Sequence, residues 1–135
     1  MKIVRVGVIG SGFIGSIHLE AFKVVPDAEV VAIASPDLEH VRATAKRHGV
    51  PRWFTDYHDL LAQKYIDMVS LALPNYLHAQ VCIDSAQAGK HVVCEKPMCL
   101  TLEEADSMIK ACRDAGVKLM YAEELCFAPN TTTVD

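Results

Sequence analysis

The stretch VGVIGSGFIGSIH, residues 6–18, sets three glycines, Gly10, Gly12 and Gly15, directly behind a run of aliphatic residues. Glycine is costly to order and packs nothing, so spacing this tight needs a physical reason. Residues 3–9, IVRVGVI, are β-branched and short, as a buried strand requires. From Phe13 to about Val25 the apolar residues turn helical, with Ile14, Ile17, Ala21 and Val24 on one stripe and Pro26 as the stop. The glycines therefore close a strand and open a helix. In that setting Gly10 permits the tight turn, Gly12 lets the backbone approach a pyrophosphate with no Cβ in the way, and Gly15 lets the helix sit close on the strand. The helix start, at Phe13 and Ile14, offers unpaired N–H groups and a partial positive charge to phosphates. A glycine turn that holds no ligand is the competing explanation.

Outward from the motif, strand and helix alternate. EVVAIA (29–34) reads as the next strand, and a polar helix follows from about Asp37 to His48, ended by Gly49 and Pro51. WFTDYHDLLAQ predicts a short strand and then a helix of two or three turns begun by Thr55 or Asp56. DMVSLAL (67–73) is a strong strand closed by Pro74, a helix runs from about Tyr76 to Gly89, and HVVCE (91–95) is again a strand. Thr101 and Glu104 form a capping box whose helix carries Leu102, Ala105, Met108, Ile109 and Cys112 at three- and four-residue spacing. Gly116 ends it, and VKLMYA supplies a last strand. Such alternation predicts an α/β fold, a Rossmann-type doubly wound parallel sheet with helices on both faces.

Composition narrows the function. At 135 residues the chain is about one domain, and 51% apolar with 22% charged residues argues for a globular protein. A net charge of −4 with no Lys/Arg cluster speaks against a nucleic-acid partner. No apolar run approaches the roughly 18 residues of a membrane span, and Arg5 and Gly7 interrupt the signal-peptide-like start. Five cysteines with no C-x-x-C pair read as reduced thiols that pack as small hydrophobes in a cytoplasmic protein, with no metal site.

The ribose contact divides the cofactor choice. A site preferring NAD usually carries Asp or Glu about 20 residues beyond the glycines. Here that position is Ser35, in IASPD. Serine can bind a ribose hydroxyl or a 2′-phosphate and does not repel the phosphate. His40 and Arg42, in the following helix turn, are placed to meet that phosphate or to form a solvated face. Asp37 is the alternative ribose ligand. The cofactor is expected to be NADP or NAD, the serine tipping the balance towards NADP.

Three motifs in order, GSGFIG at 10–15, PNYLH at 74–78 and EKP at 95–97, the last within GKHVVCEKP, make the chain resemble the Gfo/Idh/MocA family of NAD(P)-dependent oxidoreductases, which act on sugars, inositols and related polyols. The likeness extends over essentially all of the chain. It implies that the turn Leu73, Pro74 and Asn75 lies along the cofactor towards the nicotinamide. It implies that Lys96 reaches nicotinamide ribose and substrate, stabilising charge on the reacting oxygen or relaying its proton. A cis Lys96–Pro97 bond is expected to aim the lysine inwards. Glu95 either binds cofactor or pairs with Lys96, and His78 either touches the site or serves packing and the helix start. His18 reads as structural.

Members of that family continue into a second α/β domain that carries most of the substrate pocket, usually a catalytic histidine, and the oligomer interface. The resemblance thus implies a dinucleotide-binding domain over 1–122, with 123–135 beginning the connection to a second domain absent here. Where relatives often show Asn and Arg, EELCFAP has Glu124 and Cys126. The expectation is a domain that binds cofactor with little turnover alone, from a homo-oligomeric parent that takes a small polyol. A non-catalytic NAD(P)-sensing regulator is the alternative, against which the intact EKP argues, and an interaction-only protein would tolerate damaged glycines.

Overall fold

A computed structural model of the protein describes residues 3–94 and 101–121. Its elements run β1 (Val4–Ile9), α1 (Phe13–Lys23), β2 (Ala28–Ala34), α2 (Leu38–His48), β3 (Arg52–Phe54), α3 (Tyr57–Leu61), β4 (Met68–Leu71), α4 (Asn75–Gln87), β5 (His91–Cys94), α5 (Leu102–Ala115) and β6 (Leu119–Tyr121). The six strands form one parallel sheet in the order β3-β2-β1-β4-β5-β6. The chain winds outward from β1 in one direction and then in the other, so a crevice opens where β1 lies beside β4. The doubly wound Rossmann-type sheet read from the sequence is the fold observed.

Register carries this to the functional end. Across the sheet Phe54, Ala34, Ile9, Leu71, Cys94 and Tyr121 are successive partners, so all six strands stop in one row. The residues that follow that row form the carboxyl edge, where an open parallel sheet binds ligands. Two cores cover the faces. Val6, Val8 and Ile33 pack with Leu19 of α1 and Val41 and Ala45 of α2. Ile9, Val69 and Leu71 pack with Leu60 of α3, Val81 of α4 and Met108 of α5 on the other side.

Helices α1 and α3 depart most from the sequence reading. Three residues of the predicted stripe of α1 are turned away from the sheet: Ile17 is 43% exposed and Val24 82% exposed, and Ala21 is exposed as well. The inward face is Gly15, His18 and Leu19, with Phe22 half-buried. Gly15 sets this phase, because a Cβ there would lie 2.4 Å from the Gly10 carbonyl oxygen. Once that glycine faces the strand, the residues three, four and seven further on face it too. The second departure is α3, which has five residues rather than two or three turns. Beyond it the chain bends towards β4, and the buried Lys90 ammonium takes the carbonyls of Gln63 at 2.7 Å and Ile66 at 2.8 Å.

In α5 the capping box forms as predicted, and Met108 and Cys112 point into the core while Leu102 and Ile109 face outward. Cys82, Cys94 and Cys112 are free thiols buried in the core, with Cys82 Sγ 3.9 Å from Cys112 Sγ. Burial first, and the neighbouring Cys82 second, push the Cys112 thiol up to about 12, so it packs as an inert hydrophobe. Cys99 and Cys126 lie outside the described residues. No helix among the described residues is long and apolar enough to cross a membrane.

Candidate functional site

The loop from β1 to α1 gives each glycine a separate physical role. Gly10 has φ +116°, and a Cβ on it would meet the Ala72 carbonyl oxygen at 2.2 Å, just beyond β4. Side chains are excluded there twice, by backbone conformation and by space. Gly15 packs on the Gly10 carbonyl as described above. Gly12 is different: a Cβ would meet nothing within 4 Å. The fold does not require glycine at this position, and its absent side chain leaves the turn open to solvent at the mouth of the crevice. His18, one turn into α1, donates to or accepts from Ser70 of β4 through Nδ1 at 2.5 Å, inside the core, as a structural residue would.

The helix starts sort by position. Asp37 caps α2 by accepting from the His40 N–H, Asp56 caps α3 by accepting from the His58 N–H, and Thr101 caps α5. Each of these three also carries an acidic residue in its first turn. Helices α1 and α4 begin on Gly12 and Pro74 with no side-chain cap and no acidic first turn. These two start beside one another, after β1 and β4, at the crevice. A helix start leaves its leading N–H groups short of intrahelical acceptors, although the Leu77 N–H of α4 already donates to the Pro74 carbonyl at 3.0 Å, and both dipoles present positive ends. An anion in the crevice would satisfy both.

Next to that opening lies a cleft of about 370 Å³. Its floor is apolar, from Ile9, Ala34, Leu73, Leu77 and Val81, and polar groups of Ser35, Asp56, Tyr57 and Gln80 stand on its walls. An apolar slot with a polar rim suits a flat nucleoside base with its sugar turned to the rim. Glycine loop, uncapped helix starts and slot thus fit a dinucleotide.

The predicted residues distribute unevenly over this ground. Gly10, Ser35 and Leu73 line the one cleft, with Gly12 and Gly15 in the adjoining turn. Backbone bonds tie the loops together: Gly10 N–H donates to Ala34 and Ser35 N–H to Phe54. Pro74 and Asn75 start α4. Phe13 and Ile14 form the first turn of α1. His40 is tied into the glycine turn itself, its Nδ1 2.7 Å from the hydroxyl of the buried Ser11. Arg42 stands exposed on α2, and Asp37 is engaged as that helix's cap. His78 is buried on α4, apart from the residues lining the cleft. Glu95, Lys96 and Pro97, with the isomer of the Lys96–Pro97 bond, lie outside the described residues, immediately after Cys94 of the terminal row.

Four polar side chains lining the cleft escaped the sequence reading: Thr55, Asp56, Tyr57 and Gln80. Tyr57 OH donates to Asp84 at 2.5 Å, and Gln80 donates to the other oxygen of that carboxylate at 2.9 Å. Burial, reinforced by Asp84, holds the Tyr57 phenol far above its ordinary ionisation range, so it remains a donor. His58 stacks on Tyr57 with ring centroids 4.1 Å apart and bonds Asp56 at 2.8 Å. Lys90, quoted in the GKHVVCEKP motif, is a buried strut rather than a site residue, its pKa lowered by that burial. No group of three or more His, Cys, Asp or Glu among the described residues is placed to hold a metal ion.

This arrangement has relatives. Residues 4–123 match the Gfo/Idh/MocA oxidoreductase family, NAD-binding Rossmann fold. The chain belongs to the Gfo/Idh/MocA family. It is 45% identical over 120 residues to the uncharacterized oxidoreductase ORF334 of Rhizobium meliloti, covering 84% of this chain and 34% of that protein. It is 37% identical over 115 residues to myo-inositol 2-dehydrogenase of Thermotoga maritima, covering 85% and 34%. The WlbA dehydrogenase of Bordetella pertussis, solved with NADH and UDP-GlcNAcA, superposes with a TM-score of 0.83 at 38% identity, over 90% of this chain and 37% of that one. The Gfo/Idh/MocA chain described here spans about a third of the length of these relatives.

Proposed function

We propose that this chain is the cofactor-binding part of a dehydrogenase that interconverts a secondary alcohol of a sugar, inositol or related polyol with its carbonyl. The observation that carries the reading is Gly12: an open glycine, dispensable for packing, at the start of an uncapped helix in the crevice. Residues 1–122 would form the dinucleotide domain, and 123–135 would lead towards a second domain that completes the substrate pocket. The pyrophosphate would sit on the turn of Gly10, Gly12 and Gly15 and the N–H groups of Phe13 and Ile14. The adenosine half would fill the cleft between Ser35 and Leu73, with the nicotinamide half directed along Pro74 and Asn75.

When bound, the nicotinamide supplies the acceptor or donor of the hydride. The protein's share is orientation and proton handling. Lys96, two positions beyond the end of β5 in the sequence, would hydrogen-bond the reacting oxygen and stabilise its charge, with Glu95 bound to cofactor or paired with the lysine. Ser35 admits either ribose, and its neutrality favours a 2′-phosphate, which His40 and Arg42 are near enough in sequence to meet. Names of the relatives, a myo-inositol dehydrogenase among them, support the substrate class.

Fluorescence titration with NADH and NADPH tests the proposal. Saturable binding of both, tighter for NADPH, is the expected result. Absence of saturation up to about 1 mM, a binding free energy near −4 kcal/mol, would overturn it.

A further inference from the structure

Asp84 lies on α4 outside the cleft, yet both of its carboxylate oxygens hold side chains that line it. Its Oδ2 accepts from Tyr57 OH at 2.5 Å and its Oδ1 accepts from Gln80 Nε2 at 2.9 Å. The Asp84 side chain is 20% exposed, and His58 Nε2 stands 3.5 Å from Oδ2, over the stacked Tyr57 ring. We propose that Asp84 is a positioning residue, fixing Tyr57 and Gln80 from behind and so setting the wall against which the adenosine half of the cofactor lies. This rests on the cleft being the nucleoside site proposed above.

The physical need for such a tie comes from α3. A helix of five residues has too few internal hydrogen bonds to hold its own direction. Its Leu60 and Leu61 anchor the inner side in the core, but Tyr57 stands at its first turn, next to the opening. A phenol O–H bonded to a carboxylate is stronger than a neutral pair, and the partial burial of both groups strengthens it further. Gln80 is on the same helix as Asp84, one turn earlier, so the carboxylate links that turn of α4 to the start of α3 from behind the cleft wall. Without it the phenol would lose its acceptor, and the wall could swing outward.

Binding of NADH by fluorescence and of AMP by calorimetry to the full chain tests this, with Asp84→Ala, Asp84→Asn, Tyr57→Phe and the Asp84→Ala/Tyr57→Phe double variant. Asp84→Ala should raise the Kd for both ligands about tenfold, through loss of a charge-assisted, half-buried bond. Asp84→Asn, whose single uncharged carbonyl oxygen can still accept from the Tyr57 hydroxyl, should restore part of that loss. Tyr57→Phe should weaken AMP binding, and the double variant should be no weaker than Asp84→Ala alone. Equal AMP affinity in Asp84→Ala and the unaltered chain would overturn the proposal, as would multiplication of the two single losses in the double variant. If Asp84→Ala does not fold, unchanged AMP affinity in Tyr57→Phe overturns it. Failure of the unaltered chain to bind either ligand removes the nucleoside site itself, a result distinct from the others.

Discussion

At Gly12 a methyl group would touch nothing in the protein, whereas at Gly15 it would run into the Gly10 carbonyl. The two glycines look alike in sequence and should behave oppositely on substitution. Gly15→Ala is expected to lower stability by about 1–3 kcal/mol, because backbone must move to admit the Cβ, and thermal melting reads this directly. Gly12→Ala should melt within a degree or two of the unaltered chain, its cost near the few tenths of a kcal/mol usual for an open site, while its affinity for NADH falls. At the same scale, Asp56 raises the His58 pKa chiefly through its side-chain hydrogen bond. A raised pKa in the folded state means that the contribution to stability is present below the unfolded value near 6.5 and is lost as pH rises through the folded value. Proton NMR should find His58 titrating above the ordinary histidine range, and Asp56→Asn should return it towards that range.

Helix α1 shows what an element's own pattern can hide. Its aliphatic residues suggested an inward stripe, but the face that packs on the sheet is Gly15, His18 and Leu19. A glycine and a histidine do not announce a buried face. The histidine is buried because Ser70, on a strand 52 positions away in the chain, supplies its partner. Leu19→Ala is therefore expected to cost about 2–5 kcal/mol by leaving a cavity in the core beneath α1. Ile17→Ala, which the stripe reading would rank as equally damaging, should cost about 0.5 kcal/mol or less. Paired denaturant melts distinguish the two. Elements with strong local signals were readable directly: Thr101 and Glu104 make their capping box, and Gly49 and Gly116 end helices in the left-handed conformation. Helix α3 was overestimated because its apolar run continues after the chain has turned away to meet Lys90.

At the scale of the molecule, the ends of all six strands stand in one row, so loops far apart in sequence share one edge. Ligand that bridges these loops should stabilise the whole sheet and not merely one turn. With NADH or NADPH at about a hundred times its Kd, unfolding should become harder by about 2.7 kcal/mol, seen as a melting temperature that climbs with ligand concentration. A melting temperature indifferent to both nucleotides would contradict binding to the folded form.

Taken by itself, the order of residues determined the alternation of strand and helix, the turn of three glycines between them and the family resemblance. These depend on short-range rules of periodicity, caps and backbone freedom, which act over a few neighbours. The tertiary structure decided which face of α1 is inward, that Gly12 alone of the three motif glycines is free of packing, and that Asp84 braces Tyr57 from 27 residues away. Those outcomes arise where distant segments compete for the same space and the same hydrogen-bond donors, a contest that no local pattern records.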